Sequence, residues 1–240
     1  MEEVKNNMGV IRGNFKVKHK TYLTPHYIRV VFTGKDIIKF SQVTVGVNNK
    51  IFINDKKQEI IRRTYTLRAL DLEAEEMTVD FVAHGEEGPA SAWAIHAAPG
   101  DFVEIGMKDK QDPLYPVADW YLLAGDHTAL PVISVILNTL PTNAEGIAMI
   151  QVNSADDMLA IETASKVKIN WIFGDSLQFP SLLQHGVRGV ALPEAQTKYV
   201  FIAAEAAVVK ELREHFKNKE LTREEFSAFS YWKRGIAEGG

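Results

Sequence analysis

The run Arg62-Arg63-Thr64-Tyr65-Thr66-Leu67-Arg68 gathers three of the chain's nine arginines into seven residues. In an extended strand side-chain direction repeats every two residues, so Arg63 and Tyr65 are expected on one face. An arginine so placed pairs bidentately with phosphate oxygens. Tyr65 can lie against an aromatic ring, and the Thr66 hydroxyl or amide can reach a ring nitrogen. The same pattern also reads as a solvated edge strand whose arginines discourage pairing with other chains.

A second run, His84-Gly85-Glu86-Glu87-Gly88-Pro89-Ala90-Ser91-Ala92-Trp93, reads as a glycine-bearing turn entering a short helix. Pro89 suits the first helical turn, and Ser91 falls among its free amides. Helix N-termini present unpaired N–H groups and partial positive charge, which makes them seats for phosphate. Trp93 also reads as a plain core residue. Taken together, an arginine, two aromatics and a helix start within about thirty residues suit a flavin dinucleotide, which needs a diphosphate seat and stacking surfaces.

The elements that must hold these residues fall into two rhythms. Up to about Pro116 the chain reads as short strands: Tyr27 to Phe32, Lys50 to Ile53, Arg63 to Ala69, Thr78 to His84 and Phe102 to Ile105. Such runs predict an antiparallel barrel or sandwich. Beyond it, strands alternate with helices. Trp120 to Ala124, Ile147 to Val152, Val167 to Phe173 and Tyr199 to Ala203 read as buried strands, and Thr128 to Leu140 and Ala206 to Lys217 as helices. In the last helix Val208, Val209, Leu212 and Phe216 recur at core-facing spacing. This predicts a small parallel sheet, with a boundary in Lys108 to Val117 and domains at 1–116 and 117–240.

Composition narrows the function classes. A net charge of −4 implies no bulk attraction to nucleic acid or acidic membranes. The chain has no cysteine, which excludes disulfides, thiolate-ligated clusters and a cysteine nucleophile. No apolar leader is evident in Met1 to Phe15, and no window has the length of a membrane helix. A cytoplasmic protein with no membrane or nucleic-acid partner and no resident metal is expected.

Arg63-Thr64-Tyr65-Thr66 resembles the R-x-Y-[ST] flavin motif of ferredoxin-reductase-like proteins. The longer pattern is similar to the siderophore-interacting proteins. It runs through Asp80-Phe81-Val82-Ala83-His84-Gly85, Gly88-Pro89-Ala90-Ser91-Ala92-Trp93, Pro99-Gly100-Asp101, Trp120-Tyr121-Leu122-Leu123-Ala124-Gly125-Asp126, Thr128-Ala129-Leu130-Pro131 and Tyr231-Trp232-Lys233-Arg234-Gly235. The resemblance implies an N-terminal antiparallel FAD-binding β-barrel followed by a small parallel-sheet, NAD(P)-binding-like α/β domain, with FAD bound between them. It implies an FAD-dependent reductase that passes electrons to a ferric siderophore, without a protein acid, base or nucleophile. By the same resemblance Arg63, Ala90 and Ser91 hold the diphosphate, while Tyr65 and Thr66 meet the isoalloxazine. His84 stands beside the flavin, either functional or structural. Leu67, Asp80, Val82, Gly88, Trp93, Asp126 and Thr128 complete the expected cofactor-binding set.

A basic pocket over the flavin is implied for the anionic chelate, with Lys50, Lys108 and Lys233 as its candidates. The electron donor is left open between NADH, NADPH and ferredoxin. The loop Gly125-Asp126-His127 carries an acid where nucleotide-binding relatives keep a glycine-rich turn, and Ala204 stands before Glu205 where glycine is usual. The end of the chain five residues after Gly235 is similar to the group of relatives that favours ferredoxin. A monomer is expected. The competing readings are a general NAD(P)H–flavin oxidoreductase and a non-catalytic siderophore-binding module.

Overall fold

The computed structural model describes residues 10–54, 59–84, 88–109, 111–194, 196–219 and 221–235. The first nine residues and the turn Gly85-Glu86-Glu87, both read above, lie outside them. Two compact units emerge. One contains Ile28–Leu114 with the chain before Tyr22, and the other contains Tyr22–Tyr27 with the chain from Tyr115 onward.

The first unit is a closed antiparallel barrel. Its strands are β1 (Val10–Thr24), β2 (Tyr27–Thr33), β3 (Asn48–Asn54), β4 (Ile60–Asp71), β5 (Glu76–Val82) and β6 (Phe102–Lys108). They close in the order β1-β2-β5-β4-β3-β6, which resolves the choice between barrel and sandwich. Phe15, Ile28, Phe32, Ile51, Leu67, Met77, Val79, Phe81 and Ile105 fill the interior, each at most 1% exposed. Each such burial contributes about 1.5–3 kcal/mol before entropy is counted. The helix α1 (Pro89–His96) adds Ala90, Ala94 and partly buried Trp93 to this core.

The second unit is a five-stranded sheet with strand order β11-β10-β7-β8-β9. All four pairings are parallel. The strands are β7 (Trp120–Asp126), β8 (Glu145–Val152), β9 (Lys166–Phe173), β10 (Lys198–Glu205) and β11 (Phe226–Trp232). Every residue of β7 is buried, as its uninterrupted apolar run requires. The helices are α2 (Leu130–Thr139), α3 (Ser181–Arg188) and α4 (Ala206–Lys217). In α4 the buried residues are Val208, Val209, Leu212 and Phe216, the stripe expected from spacing. Tyr22–Tyr27 joins this unit through Asp157, 6% exposed, which accepts from Thr24 Oγ1 at 3.0 Å and His26 N at 3.3 Å.

The chain places β8 and β9 on one side of β7, then returns to add β10 on the other. The C-terminal ends of β7 and β10 therefore flank the point where strand order reverses. Open α/β sheets hold their ligands there.

Candidate functional site

In the barrel, Arg63 is in register with Ile51, and Tyr65 with Asn49. Arg63 and Tyr65 thus share the face on which Ile51 points inward, as strand spacing requires. Arg63 donates from NH1 to the Arg62 carbonyl at 2.9 Å. Tyr65 sits with its ring 4.4 Å from Phe81, which lies 5.6 Å from Trp93, and Trp93 stacks on Phe32 at 6.1 Å. Tyr65 and Trp93 are half-buried, so both rest on a rigid aromatic base while keeping surface for a ligand.

The other motif residues are placed differently. Leu67 is wholly buried, and its backbone exchanges hydrogen bonds with Gly46 and Val47, donating to Val47 O at 2.9 Å and accepting from Gly46 N at 2.8 Å. Thr66, 3% exposed, lies on the opposite face from Tyr65. Asp80 is buried and accepts from Arg29 Nε at 2.7 Å and Arg29 NH2 at 2.8 Å. Arg68 Nε stands 3.8 Å from the same carboxylate. Asp80 therefore holds the arginine that ends the motif. Val82 closes β5, so His84 lies just past the strand end that the sequence placed at it.

At α1 the residues expected to seat a diphosphate come together. Pro89 occupies the first turn, and Gly88 caps the helix with no side-chain hydrogen bond. Helix starts carry a partial positive charge that favours an anion. Ser91 Oγ accepts from the His84 amide at 3.0 Å, tying the end of β5 to the helix. A Cβ on Gly88 would lie 2.5 Å from His84 Cε1, so the glycine makes room for the imidazole above the helix start.

Sequence reasoning missed Asn49. It is fully buried, and among the described residues neither its Nδ2 nor its Oδ1 has a partner. Buried amides are normally satisfied, and this one pairs in register with Tyr65. The only signal was a polar doublet, Asn48-Asn49, opening an apolar strand. An open helix start, a shared arginine–tyrosine face and an orphaned amide fit the diphosphate, ring and polar edge of FAD.

Among the lysines, β3 pairs with β6 so that Lys50 stands opposite Gly106 and Asn49 opposite Met107. Lys108, two residues beyond Gly106, shares Lys50's face on the neighbouring strand. Both lysines are exposed, and Lys50 Nζ donates to Thr64 Oγ1. Lys233 is exposed in the second unit, just after β11.

The ends of β7 and β10 hold two buried carboxylates. Asp126, 1% exposed, accepts at Oδ1 from Thr128 N at 2.9 Å and Thr128 Oγ1 at 2.6 Å. Its Oδ2 accepts from Glu205 N at 3.1 Å and from Trp232 Nε1 at 2.8 Å. Glu205, 6% exposed, caps α4 by accepting at Oε2 from Ala207 N at 2.5 Å and Val208 N at 3.3 Å. Its Oε1 accepts from Arg234 N at 3.2 Å. The acid in the loop after β7 is thus turned inward and satisfied by the protein's own donors. In contrast with α1, the start of α4 is closed by a side chain.

Comparison with known proteins reports on both units. Residues 118–235 match the model of the siderophore-interacting protein family, and residues 55–110 match its siderophore-interacting FAD-binding domain. Ferric vibriobactin reductase ViuB of Vibrio cholerae is 30% identical, over 91% of this chain and 88% of that protein. The chain belongs to the siderophore-interacting protein family. A siderophore utilization protein from T. fusca has a TM-score of 0.87 at 26% identity, covering 95% of this chain and 94% of that one. The siderophore-interacting protein SipS from Aeromonas hydrophila gives 0.83 at 28% identity, covering 94% and 92%. The architecture is that of the ferredoxin-reductase-like superfamily, and the chain is an FAD-dependent oxidoreductase by membership.

Among the described residues no helix is long and apolar enough to cross a membrane.

Proposed function

We propose that this siderophore-iron-reducing flavoenzyme holds FAD with Arg63, Tyr65, Ala90 and Ser91, binds its ferric chelate with Lys50, Lys108 and Lys233, and takes its electrons from ferredoxin. The observation that supports the cofactor assignment most is the start of α1, with Gly88 at its cap and Pro89 in its first turn, supplied by the same unit as the Arg63–Tyr65 face. FAD bound there supplies the electrons that convert Fe(III) to the more weakly chelated Fe(II). The protein's own residues bind, orient and hold charge. Arg63 and the α1 amides neutralise the diphosphate, and the aromatic stack of Tyr65, Phe81 and Trp93 fixes the ring surface.

Lysine is suited to an octahedral anionic chelate because its ammonium is a compact point charge that demands no planar partner. Each of the three lysines is exposed, so each contributes at most about 1 kcal/mol, or roughly fivefold in affinity. Lys50→Ala and Lys233→Ala are therefore expected to weaken binding of a ferric chelate by up to about fivefold each, with FAD content unchanged. Titration of the flavin fluorescence with ferric tris-catecholate and tris-hydroxamate complexes measures this. A colourless protein that cannot be reconstituted with FAD would favour the non-catalytic binding module. A yellow protein that reduces free flavin and ignores ferric chelates would favour the general flavin oxidoreductase.

The ferredoxin assignment is supported by Asp126 and Glu205. A pyridine dinucleotide seated at the ends of β7 and β10 would bring its diphosphate against amides already bonded to carboxylates. Freeing those amides would break charge-assisted hydrogen bonds of about 1.5–3 kcal/mol each, roughly ten- to a hundredfold in affinity. Anaerobic mixing with NADH, NADPH or reduced ferredoxin is expected to bleach the flavin band with ferredoxin roughly a hundredfold faster than with either nucleotide. Comparable bleaching by NADPH at micromolar concentration would refute the assignment.

A further inference from the structure

The two buried carboxylates do more than their own loops require. Asp126 Oδ1 closes the turn at Thr128, and Glu205 Oε2 caps α4, so one oxygen of each completes the local structure. The remaining oxygens point elsewhere. Asp126 Oδ2 takes the Trp232 indole N–H at 2.8 Å, and Glu205 Oε1 takes the Arg234 amide at 3.2 Å. The two acids are joined by Glu205 N donating to Asp126 Oδ2 at 3.1 Å. Lys233 lies between the two anchored residues and is itself exposed.

Strand pairing supports the same picture. The β10–β11 register runs evenly from Val200↔Phe226 to Ala204↔Ser230, then shifts so that Glu205 faces Trp232. Such an irregularity re-aims the residues that follow it. Here it falls where Trp232 must turn towards Asp126. Burying a carboxylate is costly unless its lone pairs are satisfied, and the C-terminal segment supplies one donor to each acid.

From this geometry we infer that Asp126 and Glu205 are positioning residues for Lys233. They hold the segment Trp232–Arg234 by a side chain on one flank and a backbone amide on the other, so that the lysine is presented to the chelate from a fixed backbone. Fixing the backbone beforehand removes part of the ordering cost that an exposed, flexible chain would incur on binding. At the ends of β7 and β10 two of the donors to these carboxylates come from the chain's own C-terminal segment, Trp232 Nε1 and Arg234 N. This inference rests on the proposed role of Lys233 in chelate binding.

Trp232→Phe tests it with a minimal change, since it removes the indole N–H and keeps an aromatic ring. Asp126→Asn is the companion, replacing the Oδ2 acceptor of two N–H groups with an amide nitrogen that can only donate. The full-length FAD-loaded protein is titrated with iron(III) tris-catecholate and tris-hydroxamate complexes, following flavin fluorescence. Trp232→Phe is expected to lose affinity by roughly the same factor as Lys233→Ala, up to about fivefold. The double variant Trp232→Phe/Lys233→Ala is expected to bind no more weakly than Lys233→Ala alone, because both changes remove one contact. Asp126→Asn is expected to show the same coupling to Lys233. Losses that multiply in the double variant, or a Trp232→Phe protein of wild-type affinity, would overturn the positioning role while leaving Lys233 as a chelate contact. A Lys233→Ala protein of wild-type affinity would instead remove the proposed role of Lys233, and the inference with it.

Discussion

Arg63→Ala is expected to leave the purified protein largely without FAD, its dissociation constant raised by about ten- to a hundredfold. A hydrogen bond between charged groups contributes about 1.5–3 kcal/mol, and a guanidinium on a diphosphate offers two in parallel. Arg63 lies on the same face of β4 as Tyr65. Its loss therefore removes charge from the diphosphate end and leaves the aromatic platform of Tyr65, Phe81 and Trp93 intact. Residual binding should then be weak and ring-dominated, and fold stability of the apoprotein should change little. Arg63→Lys is expected to recover only part of the affinity, because an ammonium cannot present the planar fork. Absorbance of the purified variant and titration with FAD give both quantities. Retention of full FAD content by Arg63→Ala would remove the arginine from the diphosphate seat.

Much of the scaffold was legible because its signals are local. The α4 stripe appears at the residues its spacing picked out, and the solid apolar run of β7 is buried on every residue. Where signals were mixed, the reading failed. The long strand β1 carries no clear strand signal, since its outward positions carry Arg12, Lys16, Lys18 and Lys20, and its buried hydrophobics are only Phe15 and Val17. The helix α3 was missed because Gly186 interrupts a short amphipathic run. A Cβ there would stand 3.0 Å from Ile172 Cδ1, so the glycine lets the helix approach the sheet. Expected Thr128 to Leu140 begins instead as a 3-10 turn, His127–Ala129, capped by Asp126.

The site shows the same division. The shared face of Arg63 and Tyr65 follows from strand periodicity alone. The orientation of Asp126 does not, because the donor that draws Oδ2 inward comes from Trp232, 106 positions away. From sequence the acid read as a charge that would repel a nucleotide if it faced one. Folded, it has become part of the anchor for the terminal strand. Asp80 was equally opaque, since nothing local announces that Arg29, 51 positions earlier, will meet it.

That ion pair sets the second large expectation. Asp80→Ala should destabilise the protein by roughly 3 kcal/mol, near the lower end for breaking a buried pair. The Asp80 side chain is 1% exposed, whereas Arg29 and Arg68 remain 32% and 22% exposed. Water can therefore reach the two guanidiniums and soften the penalty. The loss should reach function as well as stability. Asp80 ties Arg29 on β2 to Arg68 on β4, close to the register shift between Leu67 and Ala69. Without it, the strand carrying Arg63 and Tyr65 loses a side-chain brace immediately after the flavin motif. FAD affinity should fall even in protein that is still folded at low temperature. Replacing charge by shape separates the two effects. In Arg29→Met/Asp80→Leu the Arg29–Asp80 pair is exchanged for apolar contacts, which are often neutral or stabilising. Thermal melting should recover towards wild type in that double variant, while FAD affinity should stay reduced, because a leucine at position 80 takes the carboxylate away from Arg68. Wild-type melting and FAD affinity in Asp80→Ala would show that the pair supports neither the barrel nor the motif strand.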